Sequence, residues 1–179
     1  MKIYVARHGR SNYNDLKLFN SDPSIDVHLT DYGIHQAENL AEKLKAVTIE
    51  HIFVSELKRT QQTADIVNKY HNAPVSAEAI LNDHRSGFEG QSYEEYDKLF
   101  NSSENKWTDR FGDGESLDDT RVRMQEFLTK LKKEKYDSVL IVTSMTIVQA
   151  IHGVIKHLSD DDTWKINVET GSYTEFIVI

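Results

Sequence analysis

Cysteine is missing altogether from this chain of 179 residues. Its absence excludes disulfides and thiolate metal sites, and with them the usual staples of small secreted domains. Long apolar runs are missing too, so no segment is expected to span a bilayer. The first residues, Met1-Lys2-Ile3-Tyr4-Val5-Ala6, lead directly into Arg7 and His8 and lack the apolar stretch and cleavage site of a signal peptide. Basic residues are in deficit, with 21 Lys and Arg against 29 Asp and Glu and a formal net charge of -8. Neither nucleic acid nor a membrane is therefore expected as a partner, since both reward clustered Lys and Arg. A cytoplasmic protein is the expectation. A small anion is not excluded, because a few buried positive groups can hold one inside an acidic protein.

The length and a 39% hydrophobic fraction suit one sizeable core, so residues 1-179 are expected to form one domain. No internal repeat or low-complexity linker interrupts the chain. Ile3 to Ala6, Ile52 to Val54 and Val139 to Val142 read as buried strands, and Val75 to Leu81 as a further extended segment. Thr30 caps a helical pattern to about Val47, with Ile34, Ala37, Leu40, Ala41 and Leu44 along one face. Further helical patterns run over Leu57 to Tyr70, which Pro74 follows, from Ser116 to about Lys135 and from Met145 to Leu158. Lys165 to Val168 and Tyr173 to Val178, joined across Thr170 and Gly171, read as a hairpin or two edge strands. Between Asp83 and Gly114 the pattern weakens, apart from a short helix near Tyr93 to Phe100, and an insertion acting as a lid is expected there.

Strands alternating with helices imply an α/β fold with a mostly parallel sheet. Ligands in such sheets bind beyond the carboxyl ends of the strands, which selects the residues after Ala6, Val54, Leu81 and Val142. Arg7-His8-Gly9 follows the first strand. An imidazole beside a guanidinium suits both attack on phosphorus and anion binding, and glycine lets the backbone approach closely. On its own, however, this triplet reads first as a polar loop that ends a strand. Arg59 stands in the first turn of a helix, against the helix dipole, where a bound anion or simple solvation would account for it.

Together these segments resemble the histidine phosphatase superfamily, which includes the cofactor-dependent phosphoglycerate mutases. The resemblance rests on Arg7, His8, Gly9, Ser11 and Asn14; on Leu29, Thr30, Gly33, Gln36 and Ala37; on Ser55, Leu57, Arg59, Gln62, Thr63 and Ala64; and on Gly114, Glu115 and Ser116, with Arg121 following. It implies a three-layer α/β/α sandwich in which His8 becomes phosphohistidine and Arg7, Arg59 and Asn14 bind the phosphoryl oxygens. No metal and no cofactor are required. The general acid implied by the family's carboxylate segment is Asp83, one methylene shorter than the usual Glu, with Glu89 and His84 as fallbacks; a plain turn-capping role is the other reading of Asp83.

After the Val139 to Val142 strand the family carries a second histidine, and here Thr143-Ser144-Met145 places Ser144 at that point. Ser144 is expected at the phosphate, although a serine between strand and helix is also a good N-cap. His152 lies about two helical turns further on and is too far to replace the ring. The expected activity is hydrolysis of a phosphomonoester, on a small molecule or a phosphoprotein, slowed by the missing histidine. The alternative is a catalytically impaired protein that binds a phosphorylated ligand or partner, and a mutase is disfavoured by the compact 83-114 segment. Phe88, Tyr93, Tyr96, Phe100, Trp107 and Phe111 either line an apolar mouth or form the insertion's own core. Partners are thus a phosphorylated small molecule or inorganic phosphate, and the oligomeric state, a dimer included, stays open.

Overall fold

The computed structural model describes residues 1-178. Strand β1 (Lys2–Arg7) is followed by α1 (Asn12–Leu16), α2 (Asp31–Leu44), β2 (His51–Val54), α3 (Lys58–Asn68) and β3 (Val75–Ala77). A single 3-10 turn at Ala79–Leu81 leads to α4 (Tyr93–Ser102), α5 (Leu117–Leu131), β4 (Ser138–Thr143), α6 (Met145–Lys156), α7 (Asp160–Trp164) and β5 (Tyr173–Ile177). The sheet order is β3-β2-β4-β1-β5, parallel except for β5, which runs antiparallel to β1.

All six residues of β4 are buried, as expected for a central strand covered on both faces. Side chains alternate between the faces. Ile3, Val5, Val139 and Ile141 pack with Met124, Phe127, Ile147 and Ile151 of α5 and α6. Tyr4, Ala6, Leu140 and Val142 pack with Leu40, Leu44, Ala64 and Val67 of α2 and α3. The result is the α/β/α sandwich that the sequence implies. On α2, Ile34 departs from the expected apolar face and is 37% exposed.

Lys165 to Val168 does not form a strand. Carbonyls in and just before it are held by side chains: Gln149 Nε2 donates to Trp164 O and Ile166 O, and Arg7 Nη1 donates to Val168 O. Among the described residues this segment joins no strand of the sheet, and β5 pairs with β1 instead of with a hairpin partner. Val75 to Leu81 is likewise only partly extended, since the chain turns after Ala77.

Two glycines fix the loop after β1. A Cβ on Gly9 would run into the backbone of Gly33, and one on Gly33 into the backbone of Arg10, so the first turn of α2 sits directly on the His8 loop. Thr30 caps that helix by accepting from Gly33 N at 3.1 Å, and Gln36 Oε1 accepts from Arg10 N at 2.9 Å.

Candidate active site

Because β1, β2, β3 and β4 run parallel, their carboxyl ends open on one edge of the sheet. A cleft of about 840 Å³ lies there, lined among others by Arg7, His8, Asn14, Arg59 and Asp83. The volume is within the range of small-molecule sites and exceeds what a phosphate group fills.

His8 is 2% exposed. Its Nδ1 lies 2.6 Å from Gly9 O, an acceptor only, so Nδ1 carries the hydrogen and Nε2 carries the lone pair. Arg59 Nε donates to that lone pair across 3.1 Å. Burial, reinforced by Arg59 and Arg7, holds the His8 pKa well below the ordinary 6.5, so the ring is neutral. Thr63 ties the loop to α3: its hydroxyl accepts from Gly9 N at 3.1 Å and donates to Arg59 O at 2.8 Å.

Arg59 is almost fully enclosed, at 4% exposed. Its Nη1 donates to Asn20 Oδ1 at 2.5 Å and its Nη2 to Asn20 O at 2.9 Å. Nη2 also reaches Ser144 Oγ at 3.2 Å and Asp83 Oδ2 at 3.3 Å. Desolvation lowers the Arg59 pKa while Asp83 raises it. Arg7 donates Nη1 to Val168 O, whereas its buried Nε has no partner among the described residues. Such an N–H is costly to leave unsatisfied, and a bound anion would meet it.

Asn14 lines the cleft, but its Oδ1 accepts from Ser11 N and Ser11 Oγ, both at 3.0 Å, in the capping box of α1. Only its amide N–H groups remain for a ligand. Ser144 stands somewhat apart from the expected position. It is the N-cap residue of α6 yet makes no side-chain cap bond, and its hydroxyl instead accepts from Arg59 behind the cleft wall. The short side chain does not bring it among the lining residues, where its neighbours Met145 and Thr146 are found.

Of the acid candidates, Asp83 and His84 line the cleft. His84 is held by Nδ1 at 2.9 Å from Thr120 Oγ1, and burial lowers its pKa. Glu89 faces elsewhere, accepting from Asn20 Nδ2 at 2.8 Å and from Ser21 N at 2.7 Å. His152 is buried against the Phe176 ring, 4.7 Å between centroids, away from the cleft.

The aromatic residues of the 83-114 segment divide. Tyr93, Tyr96 and Phe100 line the cleft together with Phe19, while Phe88 and Phe111 pack on Tyr96 and Trp107 on Phe100 from behind. Asn20 is the site residue that the sequence does not single out; it lies in a Ser-Asp-Pro turn region with no periodic pattern around it. Among the described residues no group of three or more His, Asp or Glu side chains is arranged to hold a metal ion.

Residues 3–178 match the family model of the histidine phosphatase superfamily (branch 1). The chain belongs to that family. It is 31% identical over 138 residues to a Photorhabdus laumondii protein named "Probable phosphoglycerate mutase GpmB", covering 72% of this chain and 61% of that one's length. It is 25% identical to phosphoserine phosphatase 1 of Hydrogenobacter thermophilus, over 97% of this chain and 85% of the relative. In structure it is similar to the alpha-ribazole phosphatase of Shigella flexneri, with a TM-score of 0.86, 24% identity and coverage of 100% and 91% of the two chains. That likeness carries the fold. The relatives of this chain thus include phosphatases acting on phosphorylated small molecules. Among the described residues no helix is long and apolar enough to cross a membrane.

Proposed function

We propose that this protein is a metal-independent phosphatase that hydrolyses a phosphomonoester through a phosphohistidine at His8. The observation that carries the reading is the state of His8: a buried neutral imidazole, its tautomer set by Gly9 O, with the Nε2 lone pair directed at Arg59 in a cleft that Arg7 also lines. Arg7 and Arg59 bind the phosphoryl oxygens, joined by the Asn14 amide. Arginine suits this work through its planar, always charged fork. When the anion takes up the Arg59 donors, the His8 lone pair is released for attack.

Nε2 then forms a bond to phosphorus as the ester P–O bond breaks, and Asp83 serves as the acid that gives a proton to the leaving oxygen. In the second half a water attacks phosphorus, the P–N electron pair returns to Nε2, and Asp83 recovers a proton from that water. The rings of Phe19, Tyr93, Tyr96 and Phe100 give the leaving group an apolar wall. The substrate is a phosphorylated small molecule, and the reaction runs in the cytoplasm.

Ser144 makes the enzyme slow. An oriented donor at a developing charge is typically worth about 2.7–4 kcal/mol, and the short Ser144 side chain, which is not among the residues lining the cleft, does not reach the phosphoryl group to supply one. Nothing in the relatives' names speaks for a non-catalytic binder. The test is steady-state hydrolysis of an aryl phosphate in the presence of a chelator, with His8→Ala as control. Turnover that the chelator leaves intact and His8→Ala abolishes supports the reading; turnover that survives His8→Ala overturns it.

A further inference from the structure

Glu89 lies outside the cleft and is exposed, yet its carboxylate leads by two hydrogen bonds to the guanidinium beside His8. The Asn20 amide has two ends that differ chemically, and it is 5% exposed. Its Oδ1 accepts from Arg59 Nη1, and its Nδ2 donates to Glu89 Oε1 at 2.8 Å and to Asp22 O at 2.9 Å. Turned over, the amide would point N–H groups at a guanidinium that has only donors, and its oxygen at two acceptors. Glu89 therefore helps to decide which way Asn20 faces, and Asn20 decides how the Arg59 fork is held.

The same carboxylate also accepts from Ser21 N at 2.7 Å and Ser21 Oγ at 3.0 Å. Backbone bonds complete a clasp between residues 17-20 and the 83-114 segment: Phe19 N to Gln91 O at 3.0 Å, Gly90 N to Phe19 O at 2.9 Å and Tyr93 N to Lys17 O at 3.1 Å. The clasp places Asn20, and with it Arg59, in register with the aromatic wall that Tyr93 begins.

We propose that Glu89 is a positioning residue, acting through the Asn20 amide to hold Arg59 against His8 in the geometry that receives a phosphoryl group. The inference rests on the phosphatase reading for its kinetic test but on the phosphate cleft alone for its binding test. Glu89 has no contact with substrate in this scheme. Its effect must travel through Asn20, which a merely structural role would not require.

The experiment is a double-mutant cycle on Glu89→Ala and Asn20→Ala, read by kcat and KM for an aryl phosphate, by the affinity for inorganic phosphate in calorimetry, and by thermal melting. Each single variant is expected to lower kcat/KM roughly ten-fold or more, because each loosens a hydrogen bond to a charged group. The double variant is expected to be no worse than Asn20→Ala alone. Losses that multiply in the double variant, or a Glu89→Ala protein with parental kinetics and phosphate affinity, overturn the relay. Should Glu89→Ala fail to fold, Glu89→Gln replaces it: the amide keeps an acceptor for Ser21 but offers an N–H toward Asn20, so it is expected to lose activity while melting as the parent does. A parent that binds phosphate but hydrolyses no ester would count against the phosphatase reading, and the relay would then be judged on phosphate affinity through the same cycle.

Discussion

Arg59 Nε donates to His8 Nε2 across 3.1 Å, so the side chain expected to bind the phosphoryl group also occupies the lone pair expected to attack it. The contact reinforces the burial that keeps His8 neutral and suits the tautomer set by Gly9 O, and phosphate binding must reorganise it. Arg59→Ala should therefore weaken phosphate binding by roughly ten-fold or more, on the scale of one charged hydrogen bond. Arg59→Lys should not restore it, because an ammonium cannot reproduce the fork held by Asn20, Asp83 and Ser144. Calorimetric titration with inorganic phosphate checks both, and a lysine variant that binds as the parent does would refute the geometric part.

Asp83 is next to the same guanidinium, 3.3 Å from Nη2, and lines the cleft. Asp83→Asn should slow the hydrolysis of alkyl phosphates more than that of aryl phosphates, since aryl leaving groups need less protonation. Equal losses on both substrates would remove Asp83 from the acid role.

Reading Ser144 as standing at the family's second-histidine position leads to a gain-of-function expectation. Ser144→His should add a donor beside Arg59 and raise turnover of an aryl phosphate by about ten-fold or more, about 1.4 kcal/mol. Met145 follows directly and lines the cleft, so its side chain can crowd the new ring, and Ser144→His combined with Met145→Gly is the fairer comparison. A double variant that folds, binds phosphate and turns over no faster would show that Ser144 is not what limits the rate.

Acid should act on stability before it acts on the nucleophile. His8 and His84 have folded pKa values below 6.5, and burial brings His152 down to about 4. For each, the unfolded chain takes up a proton at a higher pH than the folded chain does. Their contribution to stability is thus complete above about pH 6.5 and falls away as the pH drops through each folded pKa, which for His152 is about 4. Melting temperatures should decline over that window, less steeply in His152→Phe. The acid limb of kcat/KM, in contrast, should lie well below 6.5, because His8 is already neutral there. A limb at 6.5 would contradict the burial of the nucleophile.

How far these features can be read from sequence follows from the range of the interactions that make them. The β4 strand is legible because it is covered on both faces, which leaves a continuous β-branched and aliphatic run, Val139-Leu140-Ile141-Val142. His8 is legible because it directly follows a strand, and Arg59 because it stands in the first turn of the helix after one, each within a recognisable block of residues. The helix α1 is five residues long and rests on the Ser11–Asn14 capping box, too little periodicity to register. Helix α7 is equally short, although Ser159 capping onto Asp162 is a local signal that can be read. Asn20 is not legible, since its role is set by partners 39 and 69 residues away. The 165-168 segment misleads for a similar reason, its carbonyls being claimed by Gln149 and Arg7 from elsewhere in the chain.

The close approach of the His8 loop to α2 gives a further expectation. Gly33→Ala would drive a methyl group into the Arg10 backbone, which cannot move without shifting His8. It should cost about 1–3 kcal/mol of stability, as overpacking does. Chemical denaturation measures this, and an alanine variant as stable as the parent would mean that the two backbones are further apart than described.

The most direct test of a phosphohistidine mechanism is to trap the intermediate. The protein is mixed with an aryl phosphate at neutral pH, quenched rapidly into alkali, where phosphohistidine survives, and digested for mass spectrometry. A phosphoryl group on His8, formed at least as fast as steady-state turnover and absent from Asp83-intact His8→Ala, is the predicted result. Steady turnover with no phosphoryl group on His8 at any time, or turnover undiminished in His8→Ala, would contradict it.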